Sequence, residues 1–274
     1  MIPRIVHLCF GLTPDFGGKP WGLVHYACVR SILERVAPET IFLHYAYEPK
    51  GPWWELTKPM VSLRRIEPPG SIFGRPIRHP AHKADVVRLR TLIDQGGIYL
   101  DCDVLAIRAF DDLLTHQCVL GEVSQPRGRP GLCNAVILAE PQAEFLRIWL
   151  DEYRTFDGEK WDHHSVLLPA RLAESHPHLV RIMPQEAFFS PSWKEEDIKR
   201  LYAREEPVSD PAAYAHHLWE NIAWPFFKDL TVSKVRKRDT AFHGLLRPLL
   251  KDLPDDFGLS IWGRARAFVS RRSS

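Results

Sequence analysis

ADVVRLRTLIDQGGIYLDCDV, residues 84–104, runs from a helical period into a strand across two glycines. Ala84, Val87, Leu89, Leu92 and Ile93 form an apolar stripe at helical spacing, which predicts a helix over 82–95. Gly96 and Gly97 end it, the first supplying a left-handed cap. Residues 98–100 then read as a short buried strand that delivers Asp101-Cys102-Asp103, with 104–107 continuing it. Alternation along an extended segment sends both carboxylates to one side and Cys102 to the other. The carboxylates are then close enough to share a divalent cation. Two acids at the end of a buried strand are costly unless a cation or hydrogen-bond donors offset them. A bare Asp-x-Asp is commonplace in solvated turns, and it is the apolar flanks that make this one a metal-site candidate. On the preceding helix Asp85 and Arg88 stand at i and i+3 and share a face. The pair reads either as a surface ion pair or as two groups reaching over the strand end.

Upstream, 2–9 reads as a strand, followed by a Gly/Pro loop and a helix over 21–36 with Pro38 just beyond it. A second strand spans 40–47. Strand, helix and strand in this order predict a parallel β-α-β unit, whose ligands gather at the strand carboxyl ends, here Phe10, Gly11 and 45–48. A short helix over 51–59, a third strand over 61–66 and a Pro/Gly loop over 68–80 complete the first part. Downstream, strands over 118–123 and 134–139 precede a helix over 142–156, and 179–183 reads as a short strand. Residues 214–224, rich in His and Trp, form the last ordered segment of a unit over 1–230, and 231–274 read as a basic appendage of helices and loop.

Composition bounds the function. The 274 residues are 45% apolar and 26% charged, ordinary for a globular chain, with no apolar run long enough for a transmembrane helix. The N-terminus lacks the apolar length and cleavage site of a signal peptide. Five widely spaced cysteines without a CxxC pair argue against a disulfide framework or a cysteine zinc site and favour a reducing compartment. The expected location is cytoplasmic. Net charge is +2, but residues 231–274 carry 10 Lys and Arg against 4 Asp and Glu. A basic excess confined to one end excludes a nucleic-acid footprint over the whole protein. Together with Trp262, Arg264, Arg266 and Phe268 it points to a peripheral contact with the inner face of a membrane.

The stretch 84–104 closely resembles the signature of DxD glycosyltransferases with a sugar-binding region. These include bacterial capsular-polysaccharide enzymes and the initiating mannosyltransferases of glycosyltransferase family 32, with the clostridial glucosylating toxins further off. The opening IPRIVHLCFG resembles the family's first strand, and Tyr214-Ala215-His216-His217-Leu218-Trp219 with Trp224 is similar to its closing element. The resemblance implies an α/β GT-A fold, a Rossmann-like nucleotide-binding half with a mixed central sheet merged with an acceptor side. It implies Mn²⁺ or Mg²⁺ on Asp103, with Asp101 at the ribose or donor sugar and also a ligand candidate. Asp85 and Arg88 would hold donor-sugar hydroxyls beside Tyr99, and His7 to Gly11, including Phe10, would line the nucleoside pocket. His217, or its neighbour His216, would complete the metal site with Asn221 and Trp224. Asn134 would face the acceptor. The implied activity is metal-dependent, retaining hexosyl transfer from a nucleotide sugar, UDP-linked first and GDP-mannose second. Its acceptor would be a glycan, a lipid-linked glycan or a protein, with polysaccharide synthesis the expected setting. Trp53, Trp54 and Trp193 are candidate acceptor platforms, since aromatic faces stack on sugars. His163 and His164 stand where the family's usual Gly-Pro is missing.

Two other classes compete. A haloacid-dehalogenase-type phosphatase also uses a strand-end Asp-x-Asp, but in its first strand, with Thr or Ser following after a Gly, whereas here Val-Leu-Ala follows. A nucleotide-sugar or glycan-binding module with a decayed site would lack a ligand residue, yet both aspartates, the Asp85/Arg88 pair and the closing motif are present.

Overall fold

The computed structural model describes residues 1–125, 130–205 and 212–259. In chain order the strands and α-helices are β1 (Ile5–Cys9), α1 (Leu23–Ser31), β2 (Thr40–Tyr45), α2 (Pro52–Thr57), β3 (Ser62–Arg65), β4 (Ser71–Ile72), β5 (Arg75–Pro76), α3 (Pro80–Gln95), β6 (Gly97–Leu100), β7 (Val104–Ala106), β8 (Cys118–Val123), β9 (Gly131–Ala139), α4 (Glu144–Asp151), α5 (Leu168–Ser175), β10 (Arg181–Met183), α6 (Glu195–Tyr202), β11 (Ala215–His217), α7 (Glu220–Phe227), α8 (Val232–Lys237) and α9 (Ala241–Leu246). Seven strands form the main sheet in the order β10-β8-β9-β6-β1-β2-β3. The run β6-β1-β2-β3 is parallel, as the β-α-β pattern predicts, and β8 and β10 are parallel to each other. Between these groups β9 runs antiparallel to both neighbours, so the sheet is mixed.

Alternation along the central strands divides the core between the two faces. Ile98 and Leu100 of β6 with Val136 and Leu138 of β9 pack in the cluster that holds α1. Tyr99, Ile137 and Ala139 pack in the cluster that holds α3, α4 and α5. Beyond residue 230, Val232, Val235, Phe242 and Leu246 join the α1 cluster. The segment 261–268, expected at a membrane, lies outside the described residues. Among those described, no helix is long and apolar enough to cross a membrane.

Helix α3 starts with Pro80 in its first turn and the His79 ring accepting from the Ala81 N–H, and it ends at Gly96. Gly96 and Gly97 both have positive φ, at 66° and 105°. A Cβ on Gly97 would lie 2.7 Å from the Ile5 carbonyl oxygen, so β6 approaches β1 closely only because this residue has no side chain. The chain after β6 departs from expectation. Asp101 to Asp103 form a turn, closed by the Val104 N–H on the Asp101 carbonyl at 3.0 Å, so β7 does not continue β6. It pairs antiparallel with β11 in a separate two-stranded ribbon. The loop over 68–80 also carries a small hairpin, β4 with β5.

His7 of β1 is fully buried, with Nε2 3.0 Å from the Gly96 carbonyl and Nδ1 3.1 Å from Nε2 of His44. A carbonyl only accepts, so His7 Nε2 carries its hydrogen, and Nδ1 accepts from His44. Burial pushes both rings down to about 4, with the Arg64 guanidinium adding to the effect.

Two predictions follow from these contacts. Gly97→Ala is expected to lower the unfolding free energy by about 2–4 kcal/mol, from combined backbone strain and overpacking. An unchanged urea midpoint would contradict the close approach. Acid affects the histidine pair with a definite sign. In the unfolded chain these rings take up protons near pH 6.5, while the folded protein refuses them until about 4, so stability falls as pH drops through that window. Ring-carbon NMR titrations of His7 and His44 with midpoints near 6.5 would be incompatible with this arrangement.

Candidate active site

The turn after β6 places Asp101 and Asp103 beside a cavity of about 610 Å³, a size suited to a small-molecule site. Asp85 and Arg88 of α3 also open on it. Arg88 is buried and committed: Nη1 donates to the Asn134 carbonyl at 2.6 Å and lies 3.2 Å from Asp101 Oδ1. Its Nη2 is 3.5 Å from Asp85 Oδ1, and the guanidinium carbon stands 4.5 Å above the Tyr99 ring. Tyr99 O–H donates to Asp101 Oδ1 at 3.0 Å, and Asn134 Nδ2 donates to Asp85 Oδ1 at 2.7 Å. Burial raises both Asp85 and Asp101, with Arg88 pulling each back down.

Asp103 is held from the other side. The register of the β7–β11 ribbon sets His217 opposite Val104, and the Leu218 N–H donates to the Asp103 carbonyl at 2.9 Å. Trp219 then adopts a left-handed conformation (φ 55°, ψ 49°), turning the chain so that Glu220 N–H, at the start of α7, donates to Asp103 Oδ2 at 2.7 Å. Nε2 of His217 lies 3.3 Å from Asp103 Oδ1. Burial alone would raise Asp103, but the His217 imidazole and the Glu220 amide hold it below the usual carboxylate range. Burial would likewise lower His217, and the Asp103 and Asp101 carboxylates overcome it and raise the ring.

Asp101, Asp103 and His217 each present a ligand atom, all within 4.8 Å of one another. Nδ1 of His217 is buried and has no hydrogen-bond partner among the described residues. Two carboxylates and one imidazole suit Mn²⁺ or Mg²⁺ by charge and hardness, so the residues present fit a divalent cation.

Other expected residues are distributed unevenly. Phe10, Asn134, Trp193 and Asn221 line the same cavity. His7 does not reach it, because both ring nitrogens are engaged inside the sheet. Tyr99 acts from beneath, through Asp101 and Arg88. Gly11 is set back from it, receiving the N–H groups of Ala46 and Tyr47 on its carbonyl. Trp224 faces a neighbouring cavity instead. His216 turns to the Ser190 carbonyl, leaving His217 at the carboxylates. Trp53 and Trp54 are core residues packed near Tyr26 and Trp21, which removes them as acceptor platforms. His164 is buried against Tyr153 and Phe156, and neither it nor His163 lines the cavity, although Asp162 and Ser165 do. Cys102 sets its sulfur 3.5 Å from the Cys9 carbonyl and lines the same cavity. Three residues at the cavity escaped the sequence reading. His25 accepts the Gly22 N–H on Nδ1 and sets Nε2 3.0 Å from Glu220 Oε1. Trp161, 56% exposed, stands at the rim. The signal for Glu220 was its place directly after the closing His-x-Trp; His25 carried none.

The fold and this site together are those expected of a GT-A-type glycosyltransferase. The profile of the family described as "glycosyltransferase sugar-binding region containing DXD motif" matches residues 44–120. Over 266 residues the chain is 38% identical to Glucan organizing enzyme 1 of Cryptococcus neoformans var. grubii, covering 93% of this chain and 73% of that protein. Among solved structures, the WbbM bifunctional glycosyltransferase is similar at a TM-score of 0.51 and 12% identity, over 92% of this chain and 50% of that one. The glycosyltransferase GlyE of Streptococcus pneumoniae gives a TM-score of 0.48 at 11% identity, over 100% of this chain and 64% of that one. The chain belongs to the family of DXD-containing glycosyltransferases, and it is an enzyme of that class.

Asp103→Asn is expected to weaken Mn²⁺ binding by roughly tenfold or more, and His217→Ala to weaken it as well. Calorimetric titration with Mn²⁺ reads both, and unaltered affinity in the two variants would remove these residues as ligands.

Proposed function

We propose that this enzyme transfers a hexose or N-acetylhexosamine from a nucleotide sugar to a glycan, with retention at the anomeric carbon. A UDP-sugar is the first choice of donor and GDP-mannose the second. The observation that carries the reading is the meeting, in one cavity, of the Asp101/Asp103/His217 cluster with the Asp85–Arg88–Asn134 network. Glucan enters the name of the Cryptococcus relative, and it is the acceptor class we favour over a lipid-linked glycan or a protein. Neither a phosphatase nor a bare binding module is favoured by the family membership.

The residues divide the work. Asp85, oriented by Asn134, offers a carboxylate to donor-sugar hydroxyls. Arg88 fixes Asp85 and Asp101 relative to each other and carries positive charge beneath the sugar. The Glu220 amide and His217 keep Asp103 ionised and aimed at the cavity. Asp101, Asp103 and His217 would hold Mn²⁺ or Mg²⁺, which would supply Lewis-acid neutralisation of charge on a departing diphosphate. Trp193 and Trp161 at the rim offer faces on which an acceptor sugar can stack.

Incubation with Mn²⁺ and UDP-glucose, UDP-galactose, UDP-GlcNAc or GDP-mannose is expected to release one nucleotide. That release should be lost with chelator or Asp103→Ala. Silence with every donor, together with no metal-dependent nucleotide binding, would overturn the proposal.

A further inference from the structure

The loop between β1 and α1 reads Pro14-Asp15-Phe16-Gly17-Gly18-Lys19-Pro20-Trp21. It lines a cavity and reaches another through a single side-chain contact. Phe16, Pro20 and Trp21 border a space of about 650 Å³ at the carboxyl ends of the first strands, closed by Tyr45, Tyr47 and Arg65. The Lys19 ammonium donates to Asn221 Oδ1 in an exposed contact, and Asn221 lines the cavity that contains Asp101 and Asp103. Lys19 lines neither space itself and meets the carboxylate cavity one contact away, through Asn221. Phe10 forms the wall beside it, stacked on Phe16 with centroids 5.7 Å apart and edge-on to Trp21 at 4.9 Å.

Charge in the carboxylate cavity gives this position meaning. Asp85, Asp101, Asp103 and Glu220 all line it. Among the described lining residues Arg88 is the permanent cation, and its guanidinium is already shared among Asp85, Asp101 and the Asn134 carbonyl. A divalent ion on the two motif aspartates would offset those aspartates first. An incoming diphosphate brings further negative charge, which increases when the sugar leaves. Lys19, one contact outside the cavity, is paired with a neutral amide, so its charge remains uncompensated by that contact.

From this we infer that Lys19 is a diphosphate-binding residue of the donor site, held ready by Asn221 and transferred to a phosphate oxygen when the nucleotide enters. The inference rests on the nucleotide-sugar reading above. It assigns to the Gly-Gly-Lys-Pro loop a specific task, contact with the group that links the nucleoside to the sugar. Both Gly17 and Gly18 have positive φ, 63° and 74°, and a Cβ on either would meet nothing within 4 Å. Their backbone shape, not crowding, therefore sets the path that brings Lys19 to Asn221.

Calorimetric titration of the full chain in Mn²⁺ with UDP and GDP, and with UMP and GMP, tests the assignment in the wild type, Lys19→Ala and Lys19→Arg. Matched thermal melts confirm that the variants are folded. Lys19→Ala is expected to weaken the diphosphate that the wild type prefers by about tenfold, the size of a charge-assisted hydrogen bond. The corresponding monophosphate should lose less, and Lys19→Arg should recover most of the difference. Equal affinity of wild type and Lys19→Ala for the diphosphate, or an equal loss for mono- and diphosphate, would overturn the role of Lys19 while leaving the donor reading intact. Failure of the wild type to bind either diphosphate would overturn both.

Discussion

Asp101 and Asp103 repel each other in a largely desolvated turn, and the surrounding structure is arranged to offset that repulsion. Each acid has its own set of partners. Arg88 and the Tyr99 hydroxyl serve Asp101, while His217 and the Glu220 amide serve Asp103. The first set comes from α3 and β6, adjacent in sequence to the turn. The second comes from residues 217–220, distant in sequence, through the β7–β11 ribbon. Removing either set leaves a buried carboxylate with too little compensation.

The sheet explains why the cavity opens where it does. Strands β6, β1 and β2 run parallel and end together, as in other α/β sheets whose ligands collect at carboxyl ends. At β6 the chain leaves the sheet in a turn, and the next main-sheet neighbour, β9, arrives antiparallel. Asn134 on β9 is thereby carried to the same end as Asp101 and can close the network around Arg88. The cavity is the gap left by a strand that stops and a neighbour that runs the other way.

How much of this was legible in the sequence depended on range. The α3 stripe, the Gly96-Gly97 stop and the apolar β6 are local patterns, and they predicted a helix and strand meeting at an acidic turn. The parallel β1-β2 pair followed from strand, helix and strand in succession. Beyond local range the reading faltered. Extended alternation suggested that β7 continued β6, because nothing in Val-Leu-Ala announces that its partner is Ala215 to His217. Trp53 and Trp54 looked like surface platforms in a Pro/Gly-rich neighbourhood, but tertiary packing buried them. His7 was assigned by its family position, yet its alternation in β1 turns it inward to His44 and Gly96. His25 and Glu220 approach only when α1 and α7 meet, which no spacing in the sequence encodes.

The contact between Glu220 and Asp103 joins residues 117 positions apart. Ribosomal synthesis is vectorial, so the acidic turn emerges long before the segment that completes it. A nascent chain at that stage already has β1, β2, β3 and β6, the parallel half of the sheet, but Asp103 lacks both His217 and the Glu220 amide. The contacts of Asp103 therefore form late, and a chain halted before residue 215 would carry much of the sheet without them. The order of synthesis thus puts the whole parallel half of the sheet ahead of the ribbon strand and helix start that complete the contacts of Asp103.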